Sequence, residues 1–319
     1  MISSDMKAFH YDRYTLELPP GYTFPIAKYA LLRQRIEASG LIAPDDLLEP
    51  GPATDAQILR VHEFEYFQRV VTGTLSAAEV REIGLPWSPA LVERTRRSAG
   101  ATLAAAFAAL DDQGPGIAVN LAGGTHHAFA HKGAGYCVFN DAAIAIRELQ
   151  SQGRIARAII IDCDVHQGDG TASIFLSDPS VFTFSIHGAK NYPLRKQSSD
   201  LDIELPDKTG DDAYLTALDL GLDQALERAQ APGPGLDLAI YLAGADPYEG
   251  DRLGRMSLTR EGLAERDRRV FERLRNQNLP IAVAMAGGYG KVIAETVEIQ
   301  YRTVEEAKRA GRRPNSKLA

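Results

Sequence analysis

The sequence predicts a single α/β domain of three layers, with helices covering both faces of a mostly parallel central sheet. Five apolar runs recur along the chain with helix-like segments between them, the pattern of βαβ units. The runs are continuous rather than alternating, as befits strands buried on both faces. With 319 residues and 45% hydrophobic content, the chain can fill one large core. No repeat or low-complexity linker divides it, and the Pro/Gly-rich "AQAPGPGLD" at 229–237 has the length of an ordinary helix-to-strand loop. One domain over 1–319 is therefore expected, with a core of about 20–305 and a polar, basic tail at 306–319.

The strands are read at 116–121 ("GIAVNL"), 157–162 ("RAIIID"), 181–186 ("VFTFSI"), 237–244 ("DLAIYLAG") and 280–288 ("PIAVAMAGG"). Helices are read between them, at 90–110, 140–152, 211–229 and 258–277. The alanine-rich "SAGATLAAAFAAL" falls short of the roughly 20 apolar residues that span a bilayer, so it reads as a buried helix.

Bulk properties exclude several classes of function. A net charge of −7 and a pI near 5.6 argue against a nucleic-acid surface. The N-terminal "MISSDMKAFHYDRY" lacks the charged-then-apolar pattern of a leader, and no membrane association is expected. Cys137 and Cys163 are too few for a disulfide framework and lack CxxC spacing, which suits a reducing, cytoplasmic setting.

The unusual polar clusters all follow apolar runs: "AGGTHH", "DCDVHQGDG", "AGADPYEGD" and "AGGYG". In open parallel sheets ligands bind at the carboxyl ends of the strands, so four such clusters converge on one edge. Asp164, His166 and Asp246 would offer two carboxylates and an imidazole with a fourth position open, a donor set suited to catalytic zinc. Spacing alone leaves open that Asp164 caps the next loop and that His166 is a satisfied core histidine. The tandem His126–His127 could supply a general acid and a general base, with Asp162 and Asp169 as carboxylates to orient them. Tyr289, after two glycines, could aim a phenol at a developing oxyanion, or pack on the surface.

The stretches "GGTHHAFAHKGAGYCVFND", "IIDCDVHQGDG", "LAGADPYEGDRLGRMSLT" and "AGGYGK" resemble the zinc-dependent histone deacetylase superfamily, whose fold is arginase/deacetylase-like. "HQG", "EGDRLG" and the upstream "RVHEFEYFQRV" look closest to its class IV branch and bacterial relatives. The resemblance runs from about Phe24 to about Lys291, in family order and spacing. It implies one zinc ion on Asp164, His166 and Asp246, with His126 and His127 as catalytic histidines partnered by Asp162 and Asp169, and Tyr289 stabilising the transition state. It implies further that Gly135, through its carbonyl, and Gly288 contact substrate, that Tyr136, Leu253 and Tyr192 line an acyl-lysine tunnel, and that Asp162, Asp164, His166, Ser185 and Ile186 hold a structural potassium ion.

Two positions depart from the family pattern. Tyr136 stands where Phe is usual, adding a hydroxyl to an apolar wall. Asp169 stands where many class IV relatives have Asn, which should make His127 more basic. The implied activity is removal of acetyl or longer acyl groups from lysine side chains of proteins. Acetylpolyamines or other small acylated amines are the alternative substrates, with Glu79, Glu82 and Glu249 as candidate contacts for a polyamine. An arginase-like ureohydrolase is disfavoured because Gln167-Gly168 follows His166 where a second metal needs a carboxylate. A non-catalytic acyl-lysine binder is disfavoured because Tyr289 and both histidines are present.

Overall fold

A computed structural model describes residues 5–111, 113–230 and 235–311. Its centre is one eight-stranded sheet in which every pair of neighbouring strands is parallel. In chain order the strands are β1 (Ala8–Phe9), β2 (Leu47–Leu48), β3 (Ile117–Asn120), β4 (Ala158–Asp162), β5 (Val181–Gly188), β6 (Leu201–Leu205), β7 (Leu238–Leu242) and β8 (Ile281–Ala284). Across the sheet they run β2-β1-β3-β8-β7-β4-β5-β6. Five of the eight coincide with the apolar runs. β1, β2 and the edge strand β6 carry no run of their own, and the sheet is wholly rather than mostly parallel.

Among the described residues ten α-helices accompany it: α1 (Lys28–Ser39), α2 (Asp55–Ile58), α3 (Phe64–Thr72), α4 (Ala77–Ile83), α5 (Pro89–Ala109), α6 (Asp141–Ser151), α7 (Asp169–Ile174), α8 (Asp211–Gln230), α9 (Arg260–Asn276) and α10 (Ile293–Gly311). Side chains alternate through each strand, so Ile159 and Ile161 face a core shared with α1, α8, α9 and α10. Ala158 and Ile160 face a second core built with α5 and α6. Those two cores lie between the three layers of the domain, one on each face of the sheet. A third cluster, including Ile58, Tyr66, Phe67, Ile83 and Phe139, packs α2–α4 against the ends of α5 and α6.

Local chemistry starts the helices where the sequence signals them. Ser88 accepts the N–H of Leu91 and Pro89 occupies the first turn of α5. Asn140 and Thr259 cap α6 and α9 in the same way, and Ser76 with Glu79 forms a reciprocal capping box on α4. The last helix runs on to Gly311, so residues 306–311 are helical rather than tail; 312–319 lie outside the described residues.

Parallel register has one consequence for function. Asn120 pairs with Ala284, Leu242 with Ala284, and Asp162 with Leu242. Strands β3, β8, β7 and β4 therefore end level, and the loops that follow them emerge side by side at one edge. Arg266 of α9, wholly buried, ties two of these ends together by donating from Nη1 to the Gly244 carbonyl at 2.5 Å and the Cys163 carbonyl at 3.2 Å.

Candidate active site

The loop after β3 is shaped by Asp141, a buried residue at the start of α6. Its carboxylate accepts the N–H groups of Gly124 and Thr125 at 2.8 Å each, together with the hydroxyls of Thr125 at 2.7 Å and Thr102 at 2.6 Å. The loop so fixed carries His126 and His127 inward, with ring centroids 4.2 Å apart. His126 Nδ1 lies 2.7 Å from Asp162 Oδ2, and His127 Nδ1 lies 2.6 Å from Asp169 Oδ1. Both pairs are buried.

The two histidines differ electrostatically. Burial would lower His126, but the carboxylates of Asp162 and Asp164 outweigh it and raise the imidazole to about 9. Burial and then the neighbouring His126 charge lower His127 to about 4, more than Asp169 restores. Burial raises Asp162, with His126 opposing.

Beside them, Asp164, His166 and Asp246 bring three ligand atoms within 4.8 Å of one another, all three residues buried. His166 Nδ1 sits 3.0 Å from Asp164 Oδ1 and 3.3 Å from Asp246 Oδ2. The carboxylates are steered by the backbone: Asp164 Oδ2 accepts Gly287 N–H at 2.8 Å, and Asp246 Oδ1 accepts Val165 N–H at 2.9 Å. A Cβ at position 287 would lie 2.5 Å from Asp164 Oδ2, so glycine is required there.

Burial would lower His166, but hydrogen bonds to the two carboxylates outweigh it and raise it to about 10. Burial and Asp164 raise Asp246 to about 7, while His126 and His166 pull Asp164 well below the usual range against its burial. Asp246 Oδ2 is buried with only a weak contact, the approach of His166 Nδ1 at 3.3 Å, and such an under-satisfied oxygen is costly unless something takes its remaining lone pairs. A divalent cation fits: two carboxylate oxygens and one imidazole nitrogen match the donors of catalytic zinc sites. Among the described residues this is the one cluster of three such groups.

Tyr289 closes the arrangement. Its ring stands edge-on to His166 at 6.4 Å and tilted to Tyr136 at 5.8 Å. Burial, then the charges of Asp164 and Asp246, hold its phenol well above the usual value, so it remains a proton donor.

Residues 22–303 match the Histone deacetylase domain family. The chain belongs to that family. It is 42% identical over 289 residues to an uncharacterised protein of Picosynechococcus sp., covering 91% of this chain and 93% of that one. It is 30% identical to Histone deacetylase 2 of Arabidopsis thaliana over 87% of this chain and 73% of the relative. The crystal structure of an HDAC homolog from Aquifex aeolicus shares its fold, with a TM-score of 0.80 at 22% identity over 99% of this chain and 86% of that one.

In this deacetylase domain a cavity of about 660 Å³ opens onto the site, lined among others by His127, Gly135, Tyr136, His166, Leu253 and Tyr289. Tyr192 lines it too, edge-on to His127 at 4.9 Å. Gly135 has φ +52, and a Cβ there would lie 2.6 Å from His127 Cδ2. Tyr136 adopts φ +68, uncommon for a large side chain, with its ring against Phe24 at 5.0 Å. Gly288 does not line the cavity; its carbonyl accepts from Lys28 Nζ at 3.1 Å. Ser185 pairs in register with Asp162, and its hydroxyl is engaged with His187 Nδ1 at 2.9 Å. Ile186, the next residue of β5, is buried.

Sequence reasoning missed Asp141, Lys28, Asp251 and Asn191. Lys28 is buried against Tyr289, its ammonium 5.4 Å from the ring centroid. Asn191 ties two cavity walls by donating to the Leu253 carbonyl at 2.8 Å. Asp141 and Asp251 lay within quoted motifs without a role assigned to them; Lys28 and Asn191 act on backbone distant in sequence. Burial raises the Cys137 thiol well above its usual value and Cys163 to about 12, and Cys163 sits in the core away from the site.

Proposed function

We propose that this deacetylase domain is a zinc-dependent amide hydrolase that removes acetyl or longer acyl groups from the side-chain amine of lysine. The observation that carries the reading is the gathering of Asp164, His166 and Asp246 beside His127 and Tyr289 at a single cavity. An ion held by the trio would supply Lewis acidity at the acyl carbonyl and make water a better nucleophile.

The remaining steps belong to side chains. His127 lines the cavity, and its Nδ1 is engaged by Asp169, which leaves Nε2 to accept a proton from the attacking water. His126 lies behind, held by Asp162, where its charge steadies the developing oxyanion. Tyr289 donates its phenol hydrogen to that oxyanion. The imidazolium formed on His127 then protonates the leaving amine. The Gly135 carbonyl accepts the substrate amide N–H, while Tyr136, Tyr192 and Leu253 enclose the acyl-lysine stem.

The test is a chelator-controlled panel of acetyl-, octanoyl- and myristoyl-lysine peptides together with acetylated polyamines. Turnover of an acyl-lysine peptide that chelation removes and zinc restores is expected; no metal-dependent turnover on any substrate overturns the reading. A ureohydrolase is disfavoured further because the Gln167 amide is spent on the Gln197 carbonyl at 2.7 Å and Asp202 Oδ1 at 2.9 Å. Two manganese ions per chain would reverse that judgement.

A further inference from the structure

The mouth of the cavity is basic although the chain as a whole is acidic, at net charge −7. Glu82 is the only carboxylate among the described residues lining it, and it is taken by Lys132 at 2.6 Å. Arg255 is paired with Asp207 at 2.7 Å. Two further cations line the same mouth without a carboxylate of their own. Lys190 is exposed and makes no hydrogen bond or ion pair among the described residues. Its longer-range field falls on Asp207, which answers to Arg255, Lys190 and Lys208 together, three cations against one acid.

Arg252 is held differently. Its Nε donates to the Tyr289 carbonyl at 2.9 Å and Nη2 donates to the Thr23 carbonyl at 3.0 Å. Those two carbonyls fix the guanidinium in place without neutralising it. A pre-oriented, exposed arginine loses little side-chain entropy on meeting an anion, and its fork suits a carboxylate.

We propose that the substrate is an acylated lysine within an acidic polypeptide segment, whose Asp and Glu side chains are read at the mouth by Arg252 and Lys190. This rests on the acyl-lysine hydrolase reading above. Cationic substrates meet the opposite field. Glu79 and Glu82, which a polyamine would need, are engaged by Arg69 and Lys132, and Glu249 lies outside the lining.

The experiment compares kcat/KM of the zinc-loaded enzyme for acetyl-lysine peptides flanked by Asp/Glu, by Ala or by Lys/Arg, and for free Nε-acetyl-lysine and an acetylated polyamine. Lys190→Glu is the variant, because Lys190 makes no contact whose loss would disturb the fold. The acidic peptide should exceed the basic one by about tenfold at low ionic strength, falling to about twofold in 0.5 M salt. Lys190→Glu should erase most of that preference, lowering kcat/KM for the acidic peptide more than for the Ala-flanked one and raising it for the basic one. Equal rates across the peptides, a preference for the basic peptide or polyamine, or free Nε-acetyl-lysine outrunning every peptide would overturn the proposal and leave the hydrolase reading standing. Failure of every substrate would overturn the hydrolase reading, and the proposal with it.

Discussion

The Asp251 carboxylate accepts the backbone N–H of Tyr289 at 2.6 Å through Oδ2, while Oδ1 accepts the N–H groups of Leu253 and Gly254 at 2.8 and 2.9 Å. One buried side chain thus joins the candidate oxyanion donor to the wall of the cavity. All three partners are donors, so an amide in its place must turn its NH₂ toward at least one of them. Asp251→Asn is expected to lower kcat by roughly 10–100-fold, the equivalent of one charge-assisted hydrogen bond. The change should fall on kcat more than KM with zinc content unaltered, measured by steady-state kinetics and metal analysis. An unchanged kcat would show that Asp251 merely shapes the loop.

Tyr289 itself permits a sharper test. Its phenol is held protonated by burial and by the charges of Asp164 and Asp246, so under the proposed mechanism it would act as a donor. Tyr289→Phe removes that donor and keeps the ring against Tyr136 and His166. A fall in kcat on the order of 100–1000-fold is expected on an acetyl-lysine peptide, the usual effect of losing one oxyanion-hole donor. Full activity in the variant would remove Tyr289 from the mechanism.

The under-satisfied Asp246 Oδ2 and its crowded neighbours predict that metal stabilises the fold. Binding restricted to the folded state adds about 2.7 kcal/mol at a free ion concentration one hundred times Kd. Thermal melts after chelation should therefore shift upward by several degrees on adding zinc. His166→Ala should lose the shift, and a melt insensitive to zinc in the parent protein would contradict the ligand set.

The legibility of this molecule in its sequence follows the range of its interactions. Strands β3, β4, β5, β7 and β8 are visible because central parallel strands are apolar on both faces. β1 and β2 span two residues each, and β6 is a partly exposed edge strand, so none offers a run to read. The polar clusters could be placed at one sheet edge from topology alone, but the sharing of the acids among the metal trio and the two histidines depended on the resemblance. Supporting residues were invisible for a physical reason. Asp251 acts on backbone 38 positions away, Arg266 on backbone 103 away and Lys28 on backbone 260 away, and no local pattern marks such reach.

Arg266 exemplifies that hidden class. It is wholly buried, paired with Asp267 at 2.8 Å, and bonded to the carbonyls that follow β4 and β7. Asp267 also accepts from Tyr241 at 2.5 Å and Thr303 at 2.6 Å, so the pair sits inside a polar network. Arg266→Met leaves the Asp267 charge without its cation, a change that typically costs about 3–5 kcal/mol. Urea unfolding should show that loss, and adding Asp267→Asn should recover part of it. An additive double variant would mean that the two residues do not act as a unit.

His62 offers a pH test away from the site. It is buried, and its Nε2 accepts the Asn140 N–H at 3.0 Å, which requires the neutral ring. Burial lowers it from 6.5 to about 4. Between those values the unfolded chain binds a proton that the folded chain refuses, so stability rises with pH and is lost as pH falls through the window. The shift corresponds to about 3 kcal/mol in full. His62→Gln keeps an acceptor for Asn140 but cannot titrate. Its unfolding free energy, measured from pH 7 down to pH 4, should fall less steeply than that of the parent, by up to about 1.4 kcal/mol per pH unit. Parallel curves would mean that His62 titrates alike in both states and that its burial carries no such cost.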